Sequence, residues 1–151
     1  MHVLGLQVAS HRSRRIVQGV IVDADTDSIA AKVEHIPDSK HNEAMQTREA
    51  RDAIATALRA YNIAAAVLLE ADYHPQAGKS AGSKNRLRLE GACLSACRDH
   101  TPTVEVMNGP ALGRACAGKK EDAFAAGRRL GVPEDLVEAA AAALAAKSLL
   151  A

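Results

Sequence analysis

Val3–Ser10 (VLGLQVAS) is a nearly continuous apolar run that ends in small and polar residues, and Ala64–Glu70 (AAAVLLE) has the same character much later in the chain. Continuous apolar runs are typical of strands that are covered on both faces, whereas a strand with one wet face alternates. We therefore expect these two strands to lie side by side and parallel at the centre of one sheet. A crevice opens beyond the carboxyl ends of such strands, and we expect Gln7 and Glu70 to face it.

The composition predicts one domain, residues 1–151, with a core of small side chains. Hydrophobic residues make up 48% of the chain but aromatic residues only 2%, so alanine and the aliphatic residues must build the core. Small side chains allow close backbone approach, which favours helices packed on a sheet. The net charge of +1 creates no overall field that would attract nucleic acid or a membrane surface, so any such interaction needs a local patch.

The cysteines and the absence of long apolar segments predict a cytoplasmic protein with no membrane association. No apolar run approaches the ~20 residues that a spanning helix needs, and no basic leader precedes the first strand. Cys93, Cys97 and Cys116 are odd in number, which does not suit a disulfide framework and favours a reducing compartment. Cys93 and Cys97 lie at i, i+4 and could offer two metal ligands, but no second pair accompanies them. We expect buried structural thiols.

The order of the predicted elements indicates an α/β fold with a mixed five-stranded sheet flanked by helices. Short turns join the first strand to strands at Arg15–Asp23 and Ser28–Ile36, which gives an antiparallel meander. Ala71–Lys84 (ADYHPQAGKSAGSK) is predicted as a long loop, and loops of this length are often functional. The remaining predicted elements are helices at Asn42–Tyr61, Asn85–Arg98, Ala111–Ala117, Gly118–Leu130 and Glu134–Leu149, and a strand at Pro102–Met107. In the helix Asn85–Arg98 we expect the apolar residues Leu87, Cys93, Leu94 and Cys97 to face inward.

This element order resembles the RNase H-like fold, and over nearly its full length the chain is similar to the RuvC-type Holliday-junction resolvases and to small RuvC-like bacterial proteins. The opening VLGLQVAS is similar to that family's start, which reads apolar-Gly-apolar-Asp-x-Gly-Ser. Glu70 ends a similar strand, and Leu89–Ala92 (LEGA) lies in a similar helix. Gly118–Lys120 (GKK) and the acidic, alanine-rich segment Glu138–Ala145 are similar to the family's later helices.

The resemblance implies phosphodiester cleavage that depends on two Mg²⁺ ions roughly 3.5–4 Å apart. Mg²⁺ prefers anionic oxygen ligands, so the family's site needs several carboxylates. Glu70 and Glu138 match two of them. Gln7 stands where the family has the first-strand Asp, and its uncharged amide weakens the ligand that usually bridges both ions. Ala141 stands where a further acid is usual.

Asp72 and Asp135 could replace the missing acids if the fold brings them near. The catalytic positions implied by the resemblance are therefore Gln7, Glu70, Asp135 and Glu138. The implied metal ligands are Glu70, Asp72 and Glu138. Each position also has a structural interpretation, in which Gln7 is a neutral residue satisfied within the sheet, Glu70 a solvated strand end and Glu138 a surface acid.

Basic residues near the predicted crevice suggest contacts to phosphates, which position nucleic acid without reading its sequence. A solvated charged face is the alternative. Lysines at a helix start oppose the helix dipole, so a bound anion would relieve them. The predicted nucleic-acid contacts are Lys79, Lys84, Arg86, Arg88, Lys119 and Lys120.

Three functional hypotheses remain open. The first is a RuvC-like pseudo-nuclease that binds branched or structured nucleic acid, or a protein partner, with weak or no cleavage. The second is an active Mg²⁺-dependent endonuclease that uses the relocated set of carboxylates. The third is a structural or regulatory module, which would form a homodimer as the resolvases it resembles do.

Overall fold

A computed structural model describes residues 1–11, 14–71 and 81–151. Within these residues the strands are β1 (His2–His11), β2 (Arg14–Asp23), β3 (Ser28–His35), β4 (Ile63–Leu69) and β5 (Thr103–Met107). The helices are α1 (Glu43–Tyr61), α2 (Ala81–His100), α3 (Gly109–Ala115), α4 (Lys120–Arg129) and α5 (Val137–Ser148), and a short 3₁₀ turn, Glu134–Leu136, leads into α5.

The five strands form one mixed sheet in the order β3-β2-β1-β4-β5. β1 pairs antiparallel with β2 and parallel with β4, and β4 pairs parallel with β5. In this register Gln7 lies between Gln18 of β2 and Leu69 of β4. The predicted meander followed by parallel strands is confirmed, and so is the central position of the two apolar strands.

Alternation along β1 divides the core into two layers, because successive side chains of a strand point to opposite faces. Leu4, Leu6 and Val8 pack with residues of α1 and α2 on one face. Val3 packs with the alanines of α5 on the other face, which Gly5 and Gln7 share. The site residue Gln7 is therefore on the same face of the sheet as α5.

Gly5 lets α5 lie directly on β1. A Cβ atom at Gly5 would be 2.0 Å from the carbonyl oxygen of Ala139 and 2.2 Å from the backbone nitrogen of Ala143. Since no real atom fits at these distances, only glycine permits this contact. The prediction that small residues let helices pack closely on the sheet is thus confirmed, and this contact fixes where the first turn of α5 lies.

Helix α2 begins at Ala81, so the predicted loop boundary at Lys84 is wrong for its last four residues. Gly82 and Ser83 have weak helix propensity and made this stretch resemble a loop. In the structure the Nε of Arg15 donates to the carbonyl oxygen of Gly82 at 3.3 Å, which ties the first turn of α2 to β2.

The face of α2 that was predicted to be buried also needs one correction. Leu87 was expected to face inward but is 51% exposed. Leu89, Cys93 and Cys97 occupy the buried side, and a residue two positions from Leu89 points nearly the opposite way on a helix. Burial raises the pKa of Cys93 and of Cys97 to about 12, so both thiols stay protonated and are structural, as expected. Cys116 is half-buried.

No helix in the described ranges combines the length and the apolar character that crossing a bilayer requires.

Candidate functional site at the carboxyl end of β4

A cleft of about 360 Å³ opens where β4 ends beside β1. Gln7 of β1 lines it together with Glu70, which follows β4, and Glu138 from the first turn of α5. Arg86 of α2 and Lys120 of α4 line the same cleft. The structure thus brings together three of the four predicted catalytic positions, although they are far apart in the sequence.

Gln7 is held by hydrogen bonds and is only 5% exposed. Its Nε2 donates to Oε1 of Gln18 at 3.0 Å and to the backbone carbonyl oxygen of Asp135 at 3.1 Å. Nε2 of Gln18 in turn donates to Oδ2 of Asp135 at 3.1 Å. We call these three residues the amide network. The two interpretations of Gln7 are therefore compatible, because it is satisfied within the sheet and also lines the cleft.

Asp135 lines a second cleft of about 440 Å³ on the other side of Gln7. Gln7 and Glu138 line both clefts, so they lie at the boundary between them, whereas Glu70 lines only the first. Glu134, beside Asp135, forms an ion pair with Arg128 at 2.7 Å. The carboxylates of the site are consequently spread over two clefts.

Ala141 lies in the core and lines neither cleft. Its backbone nitrogen would be 3.0 Å from a Cβ atom placed on Gly127, so α4 and α5 pack closely at this point. Ala141 is fully buried, so an acid at this position would lie in the core and not in either cleft. Asp135, three residues before Glu138, is instead the acid that lies next to Gln7. The position of Ala141 therefore does not support the interpretation that it replaces a metal ligand of the resolvases.

The described residues do not fit a pair of Mg²⁺ ions. Two such ions need several converging anionic oxygens, and no group of three or more His, Cys, Asp or Glu side chains in the described ranges could hold a metal. The first cleft offers Glu70, Glu138 and the uncharged amide of Gln7. One carboxylate oxygen of Asp135 already accepts a hydrogen bond from Gln18. Asp72, a predicted metal ligand, lies outside the described residues.

Lys120 is the member of the predicted lysine pair that lines the cleft. Its aliphatic stem packs against Gly109, where a Cβ atom would be 2.6 Å from Cδ of Lys120. Its ammonium group lies 5.5 Å from the centre of the Phe124 ring, within the range of a cation–π interaction. Lys119 is exposed outside the cleft, and its backbone N–H donates to Oδ2 of Asp122 at 2.7 Å.

The other predicted basic residues are divided between two surfaces. Arg86 lines the cleft, and its Nε donates to Oε1 of Glu90 at 3.3 Å. Arg88 forms an ion pair with Glu43 of α1 and lines a groove between α1 and α2. Lys84 is exposed and is not part of the cleft lining. Lys79 lies outside the described residues.

Glu90 was not predicted as a site residue, yet it lies directly behind the cleft lining. It is 6% exposed, and burial raises the pKa of its carboxyl, with a smaller contribution in the same direction from Glu70. Its ion pair with Arg86 opposes this shift. The i, i+4 spacing of Arg86 and Glu90 was a usable sequence signal, since such pairs meet on one helix face.

Comparisons with known proteins identify the fold. No protein-family model matches the sequence, and no curated protein matches it. The structure of Thermus thermophilus RuvC superposes with a TM-score of 0.77 at 17% identity, covering 99% of this chain and 95% of that one. T. thermophilus RuvC in complex with a Holliday junction substrate superposes with a TM-score of 0.75 at 15% identity, covering 99% and 94%. The chain therefore has the RNase H-like α/β fold in the form found in RuvC, as the sequence resemblance predicted.

Proposed function

We propose that this protein is a RuvC-like pseudo-nuclease, which binds branched or structured DNA in the cleft and cleaves it weakly or not at all. The same fold in T. thermophilus RuvC is known in complex with a Holliday junction substrate, which supports DNA as the ligand. The amide network is the observation that supports weak or absent cleavage. In this network Gln7 donates hydrogen bonds at a position where an Asp would offer a negative charge.

The hydrogen-bond directions of Gln7 argue against a cation at this position. Its Nε2 is a donor, and both of its hydrogen bonds end on oxygens, at Gln18 and at the backbone of Asp135. A cation would compete with these N–H groups for the same oxygens. Breaking the bonds would leave buried polar groups unpaired, which costs about 1–3 kcal/mol for each group. The network therefore favours a site without metal.

Two cations in the cleft support phosphate binding. Arg86 and Lys120 both line it, and an arginine guanidinium suits bidentate contact with phosphate. The carboxylates Glu70 and Glu138 lie in the same cleft and would repel phosphate, so the local field is nearly balanced. Binding is consequently expected to be of moderate strength and to depend on the shape of the DNA, since contacts to phosphates carry no sequence information.

A binding assay and a cleavage assay together test the proposal. A four-way junction and a linear duplex with the same number of nucleotides are titrated over a range of salt concentrations. We expect preference for the junction and an affinity that falls as salt rises, because bound cations are released from phosphates. Incubation with Mg²⁺ or Mn²⁺ should yield little product. Robust cleavage that Glu70→Ala abolishes would overturn the proposal.

The second hypothesis, an active endonuclease, is favoured by one observation, which is that Glu70 and Glu138 line one cleft. With Asp72 and Asp135 they would form the relocated metal set. This alternative predicts heat on titration of the wild-type protein with Mg²⁺, and loss of that heat in Glu138→Gln. A lack of salt-dependent affinity for any nucleic acid would instead favour the third hypothesis, an interaction module that forms a homodimer.

A further inference from the structure

Glu90 is a nearly buried carboxylate on α2 that the proposed DNA binding does not explain. Its side chain is 8% exposed, whereas acidic side chains are rarely buried unless they are paired. Removing a carboxylate from water is costly, and this cost is offset only by good partners. The burial of the Glu90 carboxylate therefore requires a structural or functional explanation.

The partners of Glu90 are both part of the cleft wall. The Nε of Arg86 donates to its Oε1 at 3.3 Å, and the backbone N–H of Ala71 also hydrogen-bonds to the carboxylate. Arg86, Glu70 and Ala71 line the cleft, while Glu90 does not. Glu90 therefore lies behind the wall and joins α2 to the chain that leaves β4.

The geometry points to Glu90 as a positioning residue that fixes the guanidinium of Arg86 for contact with a phosphate in the cleft. An arginine held through Nε keeps the fork of its two terminal nitrogens available in one orientation. The functional part of this inference rests on the proposed DNA binding. The fixing of Arg86 is a property of the protein alone and is tested separately.

An opposite effect is expected if Glu90 acts only as a nearby negative charge. Such a charge repels phosphate, so Glu90→Gln would tighten DNA binding. If Glu90 positions Arg86, the same substitution removes the charge that holds the guanidinium and weakens binding. The sign of the change therefore separates the two roles.

Side-chain NMR of protein labelled with ¹⁵N-arginine tests the positioning without DNA. The Nε–Hε signal of Arg86, assigned by its loss in Arg86→Lys, should exchange slowly with water in the wild type. In Glu90→Gln this exchange should become about three- to tenfold faster, because the amide oxygen of Gln still accepts from Nε but turns a charge-assisted hydrogen bond into a neutral one. Glu43→Gln is the matched control, because it removes the partner of Arg88 outside the cleft. It should leave the Arg86 signal unchanged.

Affinity for a four-way junction then tests the functional part. Glu90→Gln should weaken binding about three- to tenfold in the wild-type background, the loss expected for one contact of this kind, and have no effect in an Arg86→Ala background. Arg86→Lys keeps the charge but loses the fork, so it should weaken binding to a similar degree. Glu43→Gln should bind as the wild type does.

Four results would decide the inference. An Arg86 signal that is identical in wild type and Glu90→Gln would overturn it, as would tighter DNA binding by Glu90→Gln. An equal effect of Glu90→Gln with and without Arg86 would overturn it too. If the wild type binds no junction at all, the proposed function fails, and the NMR result alone supports or refutes the positioning of Arg86.

Discussion

Gln7 and Gln18 face each other across the antiparallel pair of β1 and β2, and Nε2 of Gln7 donates to Oε1 of Gln18 at 3.0 Å. Asp135 accepts hydrogen bonds from both glutamines, through its backbone carbonyl and its carboxylate. This pair therefore connects the centre of the sheet to the turn that precedes α5. Gln7 lines the cleft with an uncharged amide, and single substitutions at this position can therefore test the effect of a charge there.

Replacing Gln7 with Asp should convert the amide network into a cation site at a cost in stability. The new carboxylate cannot donate to Gln18 or to the carbonyl of Asp135, so the free energy of unfolding should fall by about 1–3 kcal/mol without metal. Added Mn²⁺ should restore part of this loss, because an ion that binds only the folded protein stabilises it. Thermal unfolding with and without Mn²⁺ measures both effects.

Gln7→Asn is the control for that substitution, since it shortens the side chain without adding charge. It should lose stability and show no recovery with Mn²⁺. The prediction is contradicted if Mn²⁺ shifts the unfolding of Gln7→Asp no more than that of the wild type.

Gly5→Ala should be among the most destabilising substitutions of one methyl group. The added Cβ would lie 2.0 Å from the carbonyl oxygen of Ala139, and backbone atoms cannot move aside as a flexible side chain can. We expect the free energy of unfolding to fall by about 3 kcal/mol or more in urea titration. Gly91→Ala is the matched control, because no atom of the described residues lies within 4 Å of its added Cβ. It should raise stability by about 0.5–1 kcal/mol through helix propensity, and a similar loss in both variants would argue against the close contact of α5 with β1.

Lys120→Ala and Lys119→Ala should differ in DNA binding although the two lysines are adjacent. Lys120 lines the cleft and packs on Gly109, whereas Lys119 is exposed outside it. Lys120→Ala should lose one phosphate contact, which weakens DNA binding and makes the negative slope of log affinity against log salt less steep by about 1. Fluorescence anisotropy at several salt concentrations measures the slope. Equal slopes for the two variants would remove Lys120 from the proposed interface.

Glu90 should make stability depend on pH in a direction that its burial sets. The folded protein raises the pKa of this carboxyl above its ordinary value of 4.5, so the folded state binds the proton more tightly than the unfolded state. The stabilisation that results is fully present below the pKa that this carboxyl has in the unfolded state. It is lost as the pH rises through the higher pKa of the folded state. The wild type should therefore lose stability relative to Glu90→Gln as the pH rises through this window. Urea unfolding of both proteins at a series of pH values measures the difference, and a constant difference would contradict the prediction.

Local sequence patterns predicted the sheet because its signals are short-range. The apolar runs that end at Ser10 and Glu70 indicated two buried strands, and the alternation in Ser28–Ile36 indicated a half-exposed edge strand, which the structure shows at Ser28–His35. The start of α2 was missed because Gly82 and Ser83 are weak helix formers, and their place in a helix depends on contacts such as that of Gly82 with Arg15.

The sequence by itself determined that two apolar strands would lie together, and that the amide of Gln7 would bring no charge to the place where they end. Only the tertiary structure decided what Gln7 contacts, because Asp135 is 128 residues away in the chain and reaches it through the packing of α5 on Gly5. The structure likewise decided that Arg86 faces the cleft while Arg88 faces α1. Side chains two positions apart on a helix point to different sides. The rotation of α2 about its axis is set by which of its side chains the sheet buries.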